Sequence, residues 1–140
     1  MNDPTQIRQL LQQSKTIAVI GLSDNPTKPS HYVSAYMQQH GYKLYPINPG
    51  LLPEPGEVLG EQAYASLTDL VAAGIRPDLV DVFRLPTVIP SIVAEMISLD
   101  LPNLWVQQGI VNQEAAATAE AAGIHVVMDR CIMVEHRRLT

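Results

Sequence analysis

Five short runs of apolar and β-branched residues, separated by stretches of helical periodicity, set the tightest limit on what this chain can become. The first, Thr16-Ile17-Ala18-Val19-Ile20, shows no polar alternation and stops at Gly21. A strand that is apolar on both faces belongs in a parallel sheet covered by helices. Four more runs follow at 43–47, 79–83, 104–106 and 124–127. The segments between them carry helix signals. Asp3-Pro4 caps a first helix through Ile7, Leu10 and Leu11 that ends near Ser14. Ser30 is the expected cap of a second helix, with Gly41 as its stop. A Pro- and Gly-rich irregular loop spans 46–60 and precedes a short helix around 66–71. Thr87 is the expected cap of a helix over 88–99, and Asn112 the cap of an alanine-rich helix ending at Gly123.

Strands alternating with helices predict parallel order and right-handed crossovers. The expected fold is α/β: a Rossmann-like, doubly wound, five-stranded parallel sheet in three α/β/α layers, with strand order 3-2-1-4-5. The 140 residues suit one domain over 1–140. A lone cysteine, Cys131, excludes an internal disulfide and any cysteine-built zinc site. No apolar run nears the roughly 20 residues of a membrane span, and Met1-Asn2-Asp3-Pro4 carries no leader pattern, so a cytoplasmic protein is expected. The net charge of −5, with nine Lys and Arg, argues against nucleic acid as a partner. A small anion would have to be met by a local cluster.

In such sheets ligands bind beyond the carboxyl ends of the strands, where the order reverses. For the expected order these are the ends of strands one and four, at Gly21 onward and at Gln107-Gln108-Gly109. Gly21-Leu22-Ser23-Asp24-Asn25-Pro26 stands where a G-x-G-x-x-G fingerprint would stand, but only its first glycine is present. Gly21 supplies a tight turn that aims backbone N–H groups at an anion, and Ser23 adds a small hydroxyl. Pro26 lengthens the loop and moves the helix start toward Ser30, and Lys28 brings a positive charge. The expected ligand is a small-molecule nucleotide. A nicotinamide cofactor is disfavoured, because its ribose is met by an acidic residue after the second strand and this chain has Asn48 there.

Several blocks occur in order: Ala18-Val19-Ile20-Gly21-Leu22-Ser23 with Asn25-Pro26 and Ser30; Gly41-Tyr42 with Pro46-Ile47-Asn48-Pro49; Val58-Leu59-Gly60; Val80-Asp81-Val82-Phe83-Arg84; Trp105-Val106-Gln107-Gln108-Gly109; and Asp129-Arg130-Cys131. In this arrangement the chain, from about Ser14 to Leu139, resembles the small CoA-binding domain proteins. These are relatives of the nucleotide-binding N-terminal domain of the succinyl-CoA synthetase α subunit. The resemblance implies a Rossmann fold holding coenzyme A or an acyl-CoA at the first turn. Gly21, Leu22 and Ser23 look like the pyrophosphate turn, with Asn25, Pro26 and Ser30 in the same loop and Asn48 at the end of strand two. Lys43 falls where the synthetase domain has a lysine that reaches CoA phosphate. Phe83, Arg84, Gln107, Gln108 and Gly109 look like groove walls. Lys28 stands where many relatives carry arginine, which replaces a bidentate grip by a point charge. The synthetase's catalytic histidine lies in a further domain, so its ligase chemistry is not implied.

Two residues keep alternative readings. Arg84 either meets phosphate or pairs with a carboxylate such as Asp81. Cys131 is either a small buried hydrophobe or a thiol activated by Arg130, His136 and Arg137 that forms a mixed disulfide with CoA. The competing functions are a small NAD(P)-dependent oxidoreductase or CoA-transforming enzyme, and a redox module acting through Cys131. No histidine spacing supports a metal site, and no nucleophile elbow or carboxylate pair marks a catalytic centre.

Overall fold

The computed structural model describes residues 1–139. Strands β1 (Thr16–Ile20) and β2 (Lys43–Ile47) come first. A two-stranded antiparallel ribbon, β3 (Glu57–Val58) and β4 (Glu61–Gln62), begins within the segment 46–60 expected to be an irregular loop and ends just past it. Strands β5 (Leu79–Val82), β6 (Asn103–Val106) and β7 (His125–Met128) then join β1 and β2 in one parallel sheet. Helices α1 (Pro4–Gln13), α2 (Pro29–Gln39) and α6 (Ile132–Arg137) cover one face, with Ile7, Leu11, Val33, Met37 and Ile132 packed on Ile17, Val19 and Trp105. Helices α3 (Leu67–Ala72), α4 (Ile89–Leu99) and α5 (Gln113–Ala121) cover the other, on Ala18, Val80, Val82 and Leu104. The expected α/β class, with a five-stranded parallel sheet between two helical layers, is what forms.

The strands lie in the order β2-β1-β5-β6-β7, which is 2-1-3-4-5 when the five sheet strands alone are counted. The expected 3-2-1-4-5 order set the third strand outside the second, whereas it pairs with the first. The residues explain why. Leu79-Val80-Asp81-Val82 is buried throughout and needs a neighbour on each side. Strand β2 carries Pro46 and begins at the exposed Lys43, and a strand proline belongs at a sheet edge. The Pro46 carbonyl accepts from the Tyr64 N–H on the outer side, so the donor that proline lacks is missing from the free edge. The chain therefore winds from β1 to β2 on one face and returns through α3 to β5 on the other.

Helix boundaries follow the caps. Asp3, Ser66 and Asn112 each accept a backbone N–H in the first turn of α1, α3 and α5. Helix α2 begins at Pro29 after Lys28, so Ser30 lies inside it and its hydroxyl is used elsewhere. Thr87 lies in a 3-10 turn, Pro86–Val88, that leads into α4. Helix α6, after the fifth strand, has no counterpart in the expected elements. Among the described residues no helix is long and apolar enough to cross a membrane.

One buried group stands out in the sheet centre. Asp81 pairs in register with Val19 and Trp105, and its Oδ1 has no partner. Burial pushes its carboxyl well above the usual carboxylate range, against a smaller opposing effect of the Val82 N–H. The folded state thus favours the neutral acid. That stabilisation is complete below the unfolded-state value near 3.9 and is lost as pH rises toward the folded-state value. Asp81→Asn, which stays neutral, should therefore gain on the native chain by at least about 1 kcal/mol between pH 4 and pH 8. Urea unfolding at the two pH values measures this, and an unchanged difference would place the ionised form in the fold.

Candidate functional site

The turn after β1 is wedged between two neighbouring strands. Gly21 adopts φ +87°, and a Cβ there would stand 2.7 Å from the Phe83 carbonyl oxygen and 2.9 Å from Arg84 Cδ. Its N–H donates to the Ile47 carbonyl at 2.8 Å, while the Phe83 N–H donates to the Ile20 carbonyl at 2.9 Å. The glycine is required by this internal approach, and the stem of Arg84 lies across the turn. With the observed strand order the topological reversal falls between β1 and β5, so Phe83 and Arg84 take the place expected for the end of β6.

The loop that follows is held by its own side chains. The Ser23 N–H donates to Ser30 Oγ at 2.9 Å, and Ser23 Oγ accepts from the Asn25 N–H at 3.0 Å. Asn25 Oδ1 accepts from the backbone and hydroxyl of Thr27 at 3.0 and 2.8 Å. His31 Nδ1 lies 2.8 Å from the Ser23 carbonyl. Asn48 pins the turn from below: its Nδ2 donates to the Leu22 carbonyl at 3.1 Å and its Oδ1 accepts from the Gly50 N–H at 2.9 Å. A carboxylate at position 48 could not donate to Leu22, which gives the missing acidic residue a structural reason.

A cleft of about 780 Å³ opens above this turn, between the starts of α2 and α6 and over the ends of β1, β5 and β6. Gly21, Ser23, Lys28, Ser30, Phe83, Arg84, Gln107 and Gln108 line it, so eight of the expected site residues meet there. Only Lys28 and Arg84 among the lining residues are charged, and neither has an ion pair within 4 Å among the described residues. Arg84 does not pair with Asp81, which is buried beneath the cleft.

Other expected residues lie elsewhere. Leu22 is fully buried in the core, leaving its backbone as its only contribution to the turn. Asn25 and Pro26 lie on the exposed outer loop and shape it. Gly109 does not line the cleft; its N–H donates to Asp129 Oδ1 at 2.7 Å. Lys43 begins β2, at the amino end of the sheet, about 13 Å from the strand's carboxyl end at 3.3 Å per residue. Its ammonium group donates to Glu61 Oε1 at 2.9 Å. It stands apart from the cleft.

The wall that sequence reasoning missed is α6, which contributes Met133 and Val134, with Cys131 at its cap. The helix is set by long-range contacts from β6. Trp105 Nε1 donates to the Arg130 carbonyl at 2.9 Å, and Gln107 Oε1 accepts from the Ile132 N–H at 3.2 Å. Its far end is clasped to α2, where Tyr36 Oη lies 2.9 Å from His136 Nδ1 and the His40 and His136 rings are 5.0 Å apart. Burial, and then the neighbouring His40, hold His136 below the usual imidazole value. The apolar triplet Ile132-Met133-Val134 was the available signal, but it spans too few residues to show a helical period.

A second hollow of about 580 Å³ lies at the opposite end of the sheet. Two of its charged groups are already occupied: Asp78 Oδ2 accepts from the Lys15 and Thr16 N–H groups, and Arg76 donates to the Leu99 and Asp100 carbonyls. It is a seam between elements.

The fold and its cleft define a Rossmann-like α/β protein with a cation-bearing crevice at the switch point. Residues 15–137 match the model of the CoA binding domain family, and the chain belongs to that family. It is 41% identical over 138 residues to the uncharacterized protein YneT of Bacillus subtilis (strain 168), covering 97% of each chain. A solved structure from Thermus thermophilus, described as cell-free ID.343, is 41% identical with a TM-score of 0.90 over 99% of both chains. A hypothetical protein from Pyrococcus horikoshii OT3 is 34% identical with a TM-score of 0.88, over 98% of this chain and 92% of that one.

The contact at Gly21 can be weighed against a glycine of similar backbone. Gly41 has φ +96°, and a Cβ there would meet nothing within 4 Å. Gly41→Ala should cost about 1–2 kcal/mol, the left-handed penalty alone. Gly21→Ala should cost about 1–2 kcal/mol more, because the Phe83 backbone must also move. Denaturant unfolding of both variants tests this, and equal losses would remove the close approach as a constraint.

Proposed function

We propose that this chain is a cytosolic binding module for coenzyme A or an acyl-CoA, taken up by its pyrophosphate at the turn from Gly21 to Ser30. The observation that carries the reading is the charge of the cleft: two cations, Lys28 and Arg84, no acidic residue, and neither cation in an ion pair among the described residues. Lys28 stands at the amino terminus of α2, an eleven-residue helix whose dipole favours an anion at that end, and Arg84 lies across the turn at Gly21. The family match supports CoA in particular. The position of Asn48, committed to Leu22 and Gly50, argues against a nicotinamide cofactor.

Each charge-assisted hydrogen bond is worth on the order of 1.5–3 kcal/mol. Arg84→Ala should thus weaken CoA binding by roughly 10- to 100-fold, and Lys28→Ala, which removes a point charge, by less. Isothermal titration of both variants with CoA and with NAD measures the effect. Binding of NAD without binding of CoA would overturn the reading.

Cys131 gives the redox reading a specific footing, since it lines the same cleft and is partly exposed. In that reading its thiolate attacks one sulfur of CoA disulfide. A Cys131–CoA disulfide forms, the original S–S bond breaks, and one CoA thiolate leaves. Incubation with CoA disulfide should then add one CoA mass to the native chain and none to Cys131→Ser. Labelling no faster than that of a free cysteine peptide would remove this reading.

A further inference from the structure

Both charges of the cleft belong to the turn after β1 and its surroundings. Arg84 lies across Gly21, and Lys28 caps α2 beside it. In nucleotide-binding sheets of this kind the adenosine ribose is met at the end of β2. The remainder of a CoA molecule would then run from the turn in the other direction, over β5 and β6 toward α6. Along that path the side-chain amide of Gln108 is suited to the amides of a pantetheine arm, while the buried Gln107 keeps its Oε1 on the Ile132 N–H. The rest of the lining is apolar: Ile110, Met133 and Val134 after β6, Leu85 on the rim at 72% exposure, and Tyr32 and Val33 on α2. From Gln107 onward in the chain no lining residue is a cation. Arg130, next in sequence to Cys131, is turned to Glu135 at 3.8 Å and does not line the cleft.

We infer that the cleft selects a CoA thioester bearing an uncharged, apolar acyl group, over the free thiol and over acyl groups that end in a carboxylate. The inference rests on the CoA reading above. An aliphatic chain laid against Ile110, Met133, Val134 and Leu85 gains about fourfold in affinity for each methylene fully removed from water. A terminal carboxylate in the same place would lose its hydration and find no partner, since both cations stand at the phosphate end.

The test is isothermal titration of the full-length protein with CoA, hexanoyl-CoA and succinyl-CoA at one pH and salt concentration. Hexanoyl-CoA should bind at least about tenfold more tightly than CoA, allowing for partial cover of the chain in an open cleft, and succinyl-CoA no more tightly than CoA. Equal affinity of hexanoyl-CoA and CoA, or succinyl-CoA as the tightest of the three, would overturn the inference while leaving CoA binding intact. Absence of binding by all three would overturn the CoA reading itself. Met133→Lys should lower the preference for hexanoyl-CoA over succinyl-CoA about tenfold or more, by removing apolar cover and supplying a cation. An unchanged ratio in a variant that melts like the native chain would place the acyl group elsewhere and overturn the assignment.

Discussion

The approach of Gly21 to the backbone of Phe83 governs the geometry of the site. Strands β1 and β5 are adjacent and parallel, and the chain leaves them in opposite directions across the sheet. The turn after β1 has to pass within van der Waals distance of the residue after β5, and a side chain would fill that gap. Its absence lets the turn close and brings Arg84 over it. Hydrogen bonds to Ile47 on one side and from Phe83 to Ile20 on the other hold the three strand ends level. The loop from Ser23 to Ser30 is then bonded to itself, so its conformation is set before any ligand arrives.

From this anchor the cleft is closed by an element far away in the chain. Helix α6 comes after the last strand, yet Trp105 and Gln107 at the end of β6 fix where it starts. The contact of Tyr36 with His136 fixes where it ends, against α2. The two helices that wall the cleft are thus tied to each other and to the sheet. Their inner surfaces differ: α2 brings Lys28 at its start beside Tyr32 and Val33, whereas α6 brings Met133 and Val134 and no cation. An elongated ligand with an anionic portion and an apolar end matches that gradient.

Much of this was legible in the residues. Uninterrupted apolar runs identify buried parallel strands because a strand covered on both faces has no solvent side for polar residues. Gly21, Ser23 and Gln107 are recognisable because they stand at or just past the ends of strands one and four, where the expected order reverses, whereas Phe83 as a groove wall came only with the family resemblance. Strand order was less accessible, since every permutation buries the same runs, and the clue in Pro46 is a single missing N–H at an edge. Lys43 illustrates the related difficulty. Its position at the beginning of a strand is clear from the sequence, but Glu61 as its partner belongs to a two-residue strand just past a Pro- and Gly-rich loop, too short to leave a pattern.

The class of fold, the turn at Gly21 and the lack of an acidic residue after β2 follow from the amino-acid order alone, because each depends on local residue type and spacing. Three other features required the folded chain: that β5 lies beside β1, that Leu22 and Asn48 serve the turn from within, and that α6 supplies the apolar wall. Those outcomes rest on contacts between residues 25 to 100 positions apart, such as Asn48 with Leu22, Gln107 with Ile132 and Tyr36 with His136. Side chains that far apart in the chain leave no periodic signal, and their pairing emerges only once the sheet has brought their elements together.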